Sequence, residues 1–206
     1  MDFIETKVFR EPWDVNRRLT ELKLDRKRLL SVVAVALNSG ANATLFHPAN
    51  AAGTFAYQDG SWSLRDQFVG EVWGVDRAAG IEAIKCEALK VKVAFSNVDV
   101  ACDASRLPKP RSRKGAGAER ASGTGLFGDL PQYAARPSGD WALYYLMADD
   151  TGAAELTRPV VRGGAFVAAI ERLFLSNGDE GGEEELLQQG PDDIADDFDP
   201  QVARKK

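Results

Sequence analysis

The sequence predicts an α+β fold, on three observations. Residues 89–102 alternate apolar and polar side chains at period two, as half-buried strands do. Residues 13–38 space their apolar side chains three and four apart, as amphipathic helices do. Residues 141–161 read as two apolar runs around Asp149-Asp-Thr-Gly152, the pattern of a hairpin. The expected architecture is an N-terminal strand-helix-helix unit, antiparallel β-hairpins packed with helices, and a disordered acidic C-terminal tail. The expected domain organisation is a single α+β domain over 1–177, with a basic mobile loop over about 104–139 and a tail over 178–206.

Taken in order, residues 2–9 suit a short strand that Pro12 ends, because proline cannot donate to a ladder. A first helix is expected from Trp13 to Leu22, with Val15, Leu19 and Leu22 on one face. A second is expected to start at Asp25 as N-cap and run to Asn38, with Leu29, Val33 and Leu37 as its stripe and Gly40 as C-cap. Asp59-Gly60 predicts a hairpin turn between 53–57 and 61–65. Residues 66–87 are expected to form one or two short helices broken near Gly74 and Gly80. After the strands of 89–102, the stretch 103–139 reads as irregular. Beyond the 141–161 hairpin, Phe166, Ile170 and Phe174 recur every four residues and predict a helix over 165–175.

Composition narrows the function classes. No apolar run approaches the ~20 residues of a membrane span, so no membrane partner is expected. The two cysteines, Cys86 and Cys102, have no metal or redox spacing and read as reduced thiols in a cytoplasmic protein. The net charge of −5 hides an asymmetry. Residues 178–206 carry −7, while the preceding body carries +2. A polyanion partner fits that body, and the tail could shield the same surface or recruit a protein through Ile194 and Phe198.

Positive charge gathers in two places. The first is the opening unit, with Arg17, Arg18, Lys23, Arg26, Lys27 and Arg28. The second is Arg106–Arg120, which holds Arg106, Lys109, Arg111, Arg113, Lys114 and Arg120 against the lone acid Glu119. Its prolines exclude a core strand and its glycines disfavour a helix, so a mobile loop is expected there. Long cationic side chains on such a loop would neutralise phosphates of double-stranded DNA without reading bases. All twelve residues are therefore candidate DNA contacts, with a solvated, partnerless surface as the bland alternative.

Other chemistry finds little support. Gly123-Thr-Gly-Leu-Phe-Gly128 matches a dinucleotide fingerprint by letters, but it follows no strand and Pro131 forbids the helix it should open. His47 is the single histidine, no nucleophile elbow exists, and no zinc spacing is present. Asp99 and Asp103 could hold Mg²⁺ for phosphodiester cleavage, although aspartates at a strand end more often shape turns. No cofactor and no catalytic residue is expected.

Three segments resemble a known family: Phe95-Ser-Asn-Val-Asp-Val-Ala-Cys102, Pro110-Arg-Ser-Arg-Lys-Gly-Ala-Gly-Ala-Glu-Arg120 and Arg136-Pro-Ser-Gly-Asp-Trp-Ala-Leu-Tyr-Tyr145. They are similar to a family encoded on bacterial integrating conjugative elements, itself similar to the AcaB-like regulators of conjugative plasmids. The resemblance covers most of residues 1–178. It implies a DNA-binding regulator of transfer genes, a dimer, and room for a ribbon-helix-helix-like unit. The function expected is non-catalytic regulation of mobile-element genes. The alternatives are a protein-binding adaptor of such an element and a Mg²⁺-dependent nuclease.

Overall fold

The computed structural model describes residues 6–122 and 141–178. The structure is α+β, built on a seven-stranded mixed sheet of order β1-β7-β6-β5-β4-β3-β2. The strands are β1 (Lys7–Phe9), β2 (Gly74–Asp76), β3 (Ala83–Cys86), β4 (Val91–Asn97), β5 (Ala142–Ala148), β6 (Ala153–Arg162) and β7 (Ala165–Asn177). The helices are α1 (Pro12–Glu21), α2 (Arg26–Ala41), α3 (Ala51–Phe68) and α4 (Ala116–Ser122). The β1–β7 and β4–β5 pairs are parallel and the others antiparallel. A parallel pair needs a crossover. The β4–β5 crossover is the segment from Val98 onward that carries the basic residues and α4.

Each face of the sheet has its own core. On one face, Val15, Leu19, Leu29, Val33 and Leu64 of α1–α3 pack on Val93, Phe95, Tyr144, Leu146, Leu156 and Leu173. On the other, Val98, Ala101 and Ala118 pack on Leu143, Tyr145, Met147 and Phe166. Covering both faces explains why β5 and β6 are buried along nearly their whole length.

The opening unit forms as the sequence predicts. Pro12 occupies the first turn of α1, where its missing N–H costs nothing. The Asp25 carboxylate accepts from the Arg28 N–H at 2.9 Å and caps α2. The predicted end at Gly40 is wrong: α2 runs on to Ala41, and Gly40 lies inside it, where an added Cβ would come 3.2 Å from the Ala52 carbonyl.

Three further expectations fail for physical reasons. The Asp59-Gly60 hairpin is instead the middle of α3. Gly60 is small because a Cβ there would meet the Phe95 ring at 2.7 Å, and Asp59 accepts from the Ser39 hydroxyl across the α2–α3 contact. Close helix–sheet approach, not a turn, is what this glycine serves. The short helices expected over 66–87 are β2, a 3₁₀ turn at Ala78–Gly80, and β3. Ala79 and Gly80, at φ 57° and 73°, provide the reversal that lets Val75 pair with Ile84. The helix expected over 165–175 is β7. A spacing of four belongs to a helix face and equally to every second pair of a strand, and β7 is apolar on both faces because both are covered.

The basic mobile loop expected over about 104–139 is corrected as far as Ser122; its remainder, 123–139, lies outside the described residues. Residues 98–122 lie against the sheet, and their last seven residues form α4. The Asp99 N–H donates to the Lys109 carbonyl and the Arg111 N–H to the Asn97 carbonyl, each at 3.0 Å. Glycine serves packing here as well: a Cβ on Gly117 would sit 1.9 Å from the Ala79 carbonyl oxygen. The 123–128 glycine motif, Phe127, Tyr133 and the acidic tail from 179 lie outside the described residues.

Candidate functional site

The two basic regions belong to different layers. Arg17 and Arg18 sit on α1, Lys23 in the turn after it, and Arg26, Lys27 and Arg28 on α2, on the helix-covered face. Arg106, Lys109, Arg111, Arg113, Lys114 and Arg120 sit on the segment that covers the opposite face. Arg26 shares a cleft beside the end of β7 with Cys102 and Ala104, which precede the second region.

Within the first region, two cations are committed to the fold. Arg18 donates to both carboxylate oxygens of Glu171, at 3.0 and 3.1 Å, and to Glu21 at 2.7 Å. Those bonds, led by the one to Glu171, hold its guanidinium firmly in the charged form. Glu171 also accepts from the Tyr144 hydroxyl, whose pKa burial pushes upward. Arg26 donates to the Leu175 carbonyl, which ties α2 to β7. Arg17 pairs with Asp14 at 3.1 Å on the surface and stacks near Trp13.

The remaining three are presented outward. Lys23, Lys27 and Arg28 are exposed and take no ion pair among the described residues. Arg28 lies 4.5 Å over the Phe68 ring. Lys23 is at φ 56°, its carbonyl held by the Trp73 indole N–H at 3.0 Å. This α1–α2 corner is thus a rigid mount for free positive charge.

The second region is partly self-neutralised: two of its six cations are ion-paired, and Lys109, Arg113 and Arg120 remain exposed. Arg106 faces Asp103 at 3.4 Å and Asp99 at 3.8 Å. Arg111 pairs with Asp150 at 2.8 Å and donates from Nε to the Val98 carbonyl. Lys109 uses its backbone N–H on Asp99 at 2.7 Å and leaves its exposed ammonium unpaired among the described residues. Arg113 and Arg120 are exposed. Lys114 is only partly exposed and turns toward the sheet. Its Nζ donates to the Ser96 hydroxyl at 2.7 Å and stands 4.9 Å over the Tyr145 ring. Burial pushes its ammonium down from 10.5 to about 8.

Sequence reasoning missed the groups that fix this segment. Arg172 and Glu155 form a buried pair at 2.6 Å, and Arg172 also donates to the carbonyls of Asp103 and Arg106. Glu155 accepts the Cys102 N–H at 2.8 Å, while the Cys102 thiol, pushed up to about 12 by burial, donates to the Ala154 carbonyl. A charged residue inside an apolar β run was the available signal, since such a charge must find a partner.

The nuclease constellation does not assemble. Asp99 binds backbone N–H groups of Val100 and Lys109, and Asp103 binds Ser105, so both shape the loop. Among the described residues, no group of three or more His, Cys, Asp or Glu could hold a metal ion. His47 accepts the Thr44 N–H at 3.0 Å and packs edge-on against Phe55, a structural position. Among the described residues, no helix is long and apolar enough to cross a membrane.

The class that fold and surface define is therefore an α+β protein with a seven-stranded mixed sheet and a cationic helix corner. No known protein family, curated protein or solved structure matches the chain.

Proposed function

We propose that the protein is a non-catalytic DNA-binding regulator of mobile-element genes, and that it holds duplex phosphate with the α1–α2 corner. The observation that carries this reading is the exposure of Lys23, Lys27 and Arg28 on a corner pinned by Arg18, Arg26 and Trp73. Unpaired cations on a fixed mount neutralise phosphates without first breaking internal ion pairs. In this reading the Arg106–Arg120 segment, read from sequence as the main contact, serves as a structural brace, with Lys109, Arg113 and Arg120 exposed on it. The likeness of three segments to conjugative-element regulators supports the same reading and adds a dimer, which sedimentation of the full chain tests.

The deciding experiment is a mobility shift on DNA from upstream of its own gene. Reversal of Lys23, Lys27 and Arg28 to Glu is expected to abolish the shift. Reversal of Arg111 and Arg113 is expected to leave most of it. The opposite ranking overturns the assignment of the corner.

The adaptor reading has one observation in its favour. Leu45 and Phe46 are fully exposed on a tight turn fixed by the Thr44–His47 bonds, a costly way to display apolar surface. It predicts no salt-sensitive DNA binding by the wild-type chain. In the mobility shift that outcome would favour the adaptor over the regulator.

A further inference from the structure

A cleft of about 190 Å³ opens between the end of β4, the 3₁₀ turn at Ala78–Gly80, and Ser112–Gly115. Its floor holds two polar groups with unspent hydrogen-bonding capacity. Lys114 has three N–H donors. One goes to Ser96, and the residue takes no ion pair among the described residues. The Ser96 hydroxyl proton is itself used on the Asn97 carbonyl, so serine offers the ammonium a lone pair and no charge. Tyr145 is only 3% exposed, lines the cleft, and its hydroxyl takes no hydrogen bond among the described residues. The one carboxylate on the rim, Glu82, is spent on Arg65 and Arg77. Ile81, Ala94, Ala118 and Tyr57 give the wall an apolar and aromatic part, and Asn97, Ser112 and Arg113 give it a polar part that adds a second cation.

We propose that this cleft binds a small aromatic oxyanion, its carboxylate or phosphate group seated on Lys114 and the Tyr145 hydroxyl, and its ring lying among Tyr57, Ile81 and Ala118. The ammonium has one hydrogen-bond acceptor and two ring faces, those of Tyr145 at 4.9 Å and Phe166 at 5.8 Å, and no anion among the described residues, so an oxyanion in the cleft would complete its shell. A phenolic O–H and an ammonium on one floor donate together to an oxyanion, and charge-assisted bonds of that kind are the strong ones. The volume exceeds the ~150 Å³ that an apolar cavity needs to hold a benzene ring, which leaves room for the charged group. Pockets with apolar walls and a few convergent polar groups are the usual form of small-ligand sites. The inference does not depend on DNA binding, since none of these residues belongs to the α1–α2 corner.

The test is calorimetric titration of the full chain with benzoate, phenyl phosphate and inorganic phosphate. Saturable binding of one aromatic oxyanion is expected with Kd near or below ~1 mM, and benzoate against phenyl phosphate identifies the head group. Lys114→Met is expected to weaken it at least tenfold and Tyr145→Phe about fivefold, the effect of one hydrogen bond, while Arg120→Gln, outside the cleft, leaves it unchanged. Should Lys114→Met not fold, Tyr145→Phe decides together with amine labelling of the wild type. Label at Lys114, read by mass spectrometry, should fall when the aromatic oxyanion is present. No saturable binding, unchanged affinity in the folded Lys114→Met or Tyr145→Phe chain, or a label unaffected by ligand overturns the site. Inorganic phosphate binding as tightly as phenyl phosphate overturns the aromatic part.

Discussion

The α1–α2 corner and the Arg106–Arg120 segment have similar composition and differ in what their cations are mounted on. The corner displays its charge: Lys23, Lys27 and Arg28 are exposed and unpaired among the described residues. The segment spends half of its charge: Arg106 and Arg111 face Asp103 and Asp150, and Lys114 turns toward Ser96, while Lys109, Arg113 and Arg120 stay exposed. The difference comes from what lies beneath. The corner is an amphipathic helical surface whose apolar side, Val15, Leu19, Leu29 and Val33, does the packing and leaves the polar side to solvent. The segment has few apolar side chains with which to cover a sheet face, so its polar groups must be satisfied against that face. A count of cations per residue cannot separate a binding surface from a brace. The availability of acids and carbonyls around each cation can.

The largest effect that would break this contrast lies under the segment. Arg172→Met leaves Glu155 as an uncompensated buried carboxylate and frees the carbonyls of Asp103 and Arg106. A loss of roughly 3–5 kcal/mol in unfolding free energy is expected from urea melts. Proteolysis should then cut first between Ala101 and Arg111. A loss below ~1 kcal/mol would mean that the segment is held by something other than this pair.

Lys114→Met comes next and has the opposite sign. The folded-state pKa of Lys114 lies near 8, below its ordinary 10.5. Between those values the unfolded chain binds the proton and the folded chain does not, so this group makes stability rise with pH there. Below pH 8 the buried charge costs a constant amount, of order 3 kcal/mol. The methionine variant should therefore be more stable at pH 7, by up to that amount less the lost Ser96 bond. Its advantage should shrink between pH 8 and 10.5. Taking the difference from wild type matters, because Cys102, Tyr144 and Tyr145 are all raised and each opposes stability at alkaline pH. Tyr57, Glu82 and Arg113 also face the cleft and stay in place in both chains. A constant advantage across that range would show that the Lys114 ammonium is not desolvated.

Much of the fold was legible in the sequence, and the errors share a cause. The opening strand-helix-helix unit, β4 and the β5–β6 hairpin follow from periodicity, because each has one dominant period. The segments read wrongly are those where a local signal competes with context: Asp59-Gly60 in α3, the glycines around β2 and β3, the prolines and glycines before α4, and the four-residue apolar spacing of β7. Gly60 looked like a turn because its contact, the Phe95 ring, is 35 residues away in the sequence. At the candidate site, Lys23, Lys27 and Arg28 were visible as a cluster, and Asp25 as a cap. That Arg18 and Arg26 serve the fold was not visible, since Glu171 and the Leu175 carbonyl lie some 150 positions away. Long-range pairing is the one quantity that local composition does not contain.

A smaller effect sharpens the corner itself. Asp25 caps α2 and is also the one acid between Lys23 and Arg28 in the sequence. Asp25→Ala removes both the cap and the acid, and a loss of about 1 kcal/mol in stability is expected from the cap. Asp25→Asn keeps a capping oxygen and removes the charge. Its stability should stay within ~0.5 kcal/mol of wild type, while DNA affinity rises, as titration by fluorescence anisotropy would measure. If affinity falls in the asparagine variant, the corner does not face phosphate.

The smallest change in stability gives the finest test of the comparison. Lys27→Gln removes one exposed charge that touches no acid, so the unfolding free energy should move by less than ~0.5 kcal/mol. A phosphate contact nevertheless leaves a thermodynamic trace, because each one releases condensed counterions. The slope of log affinity against log salt should fall in magnitude by about 0.9 when one contact to duplex DNA is lost. Arg111→Gln should leave that slope alone, since its guanidinium is already held by Asp150 and the Val98 carbonyl. Its own cost should be on the scale of an exposed ion pair, about 0–1 kcal/mol. Equal slopes for Lys27→Gln and wild type, with a reduced slope for Arg111→Gln, would exchange the roles of the two regions: the brace would be the binding surface, and the corner only a solvated helix end.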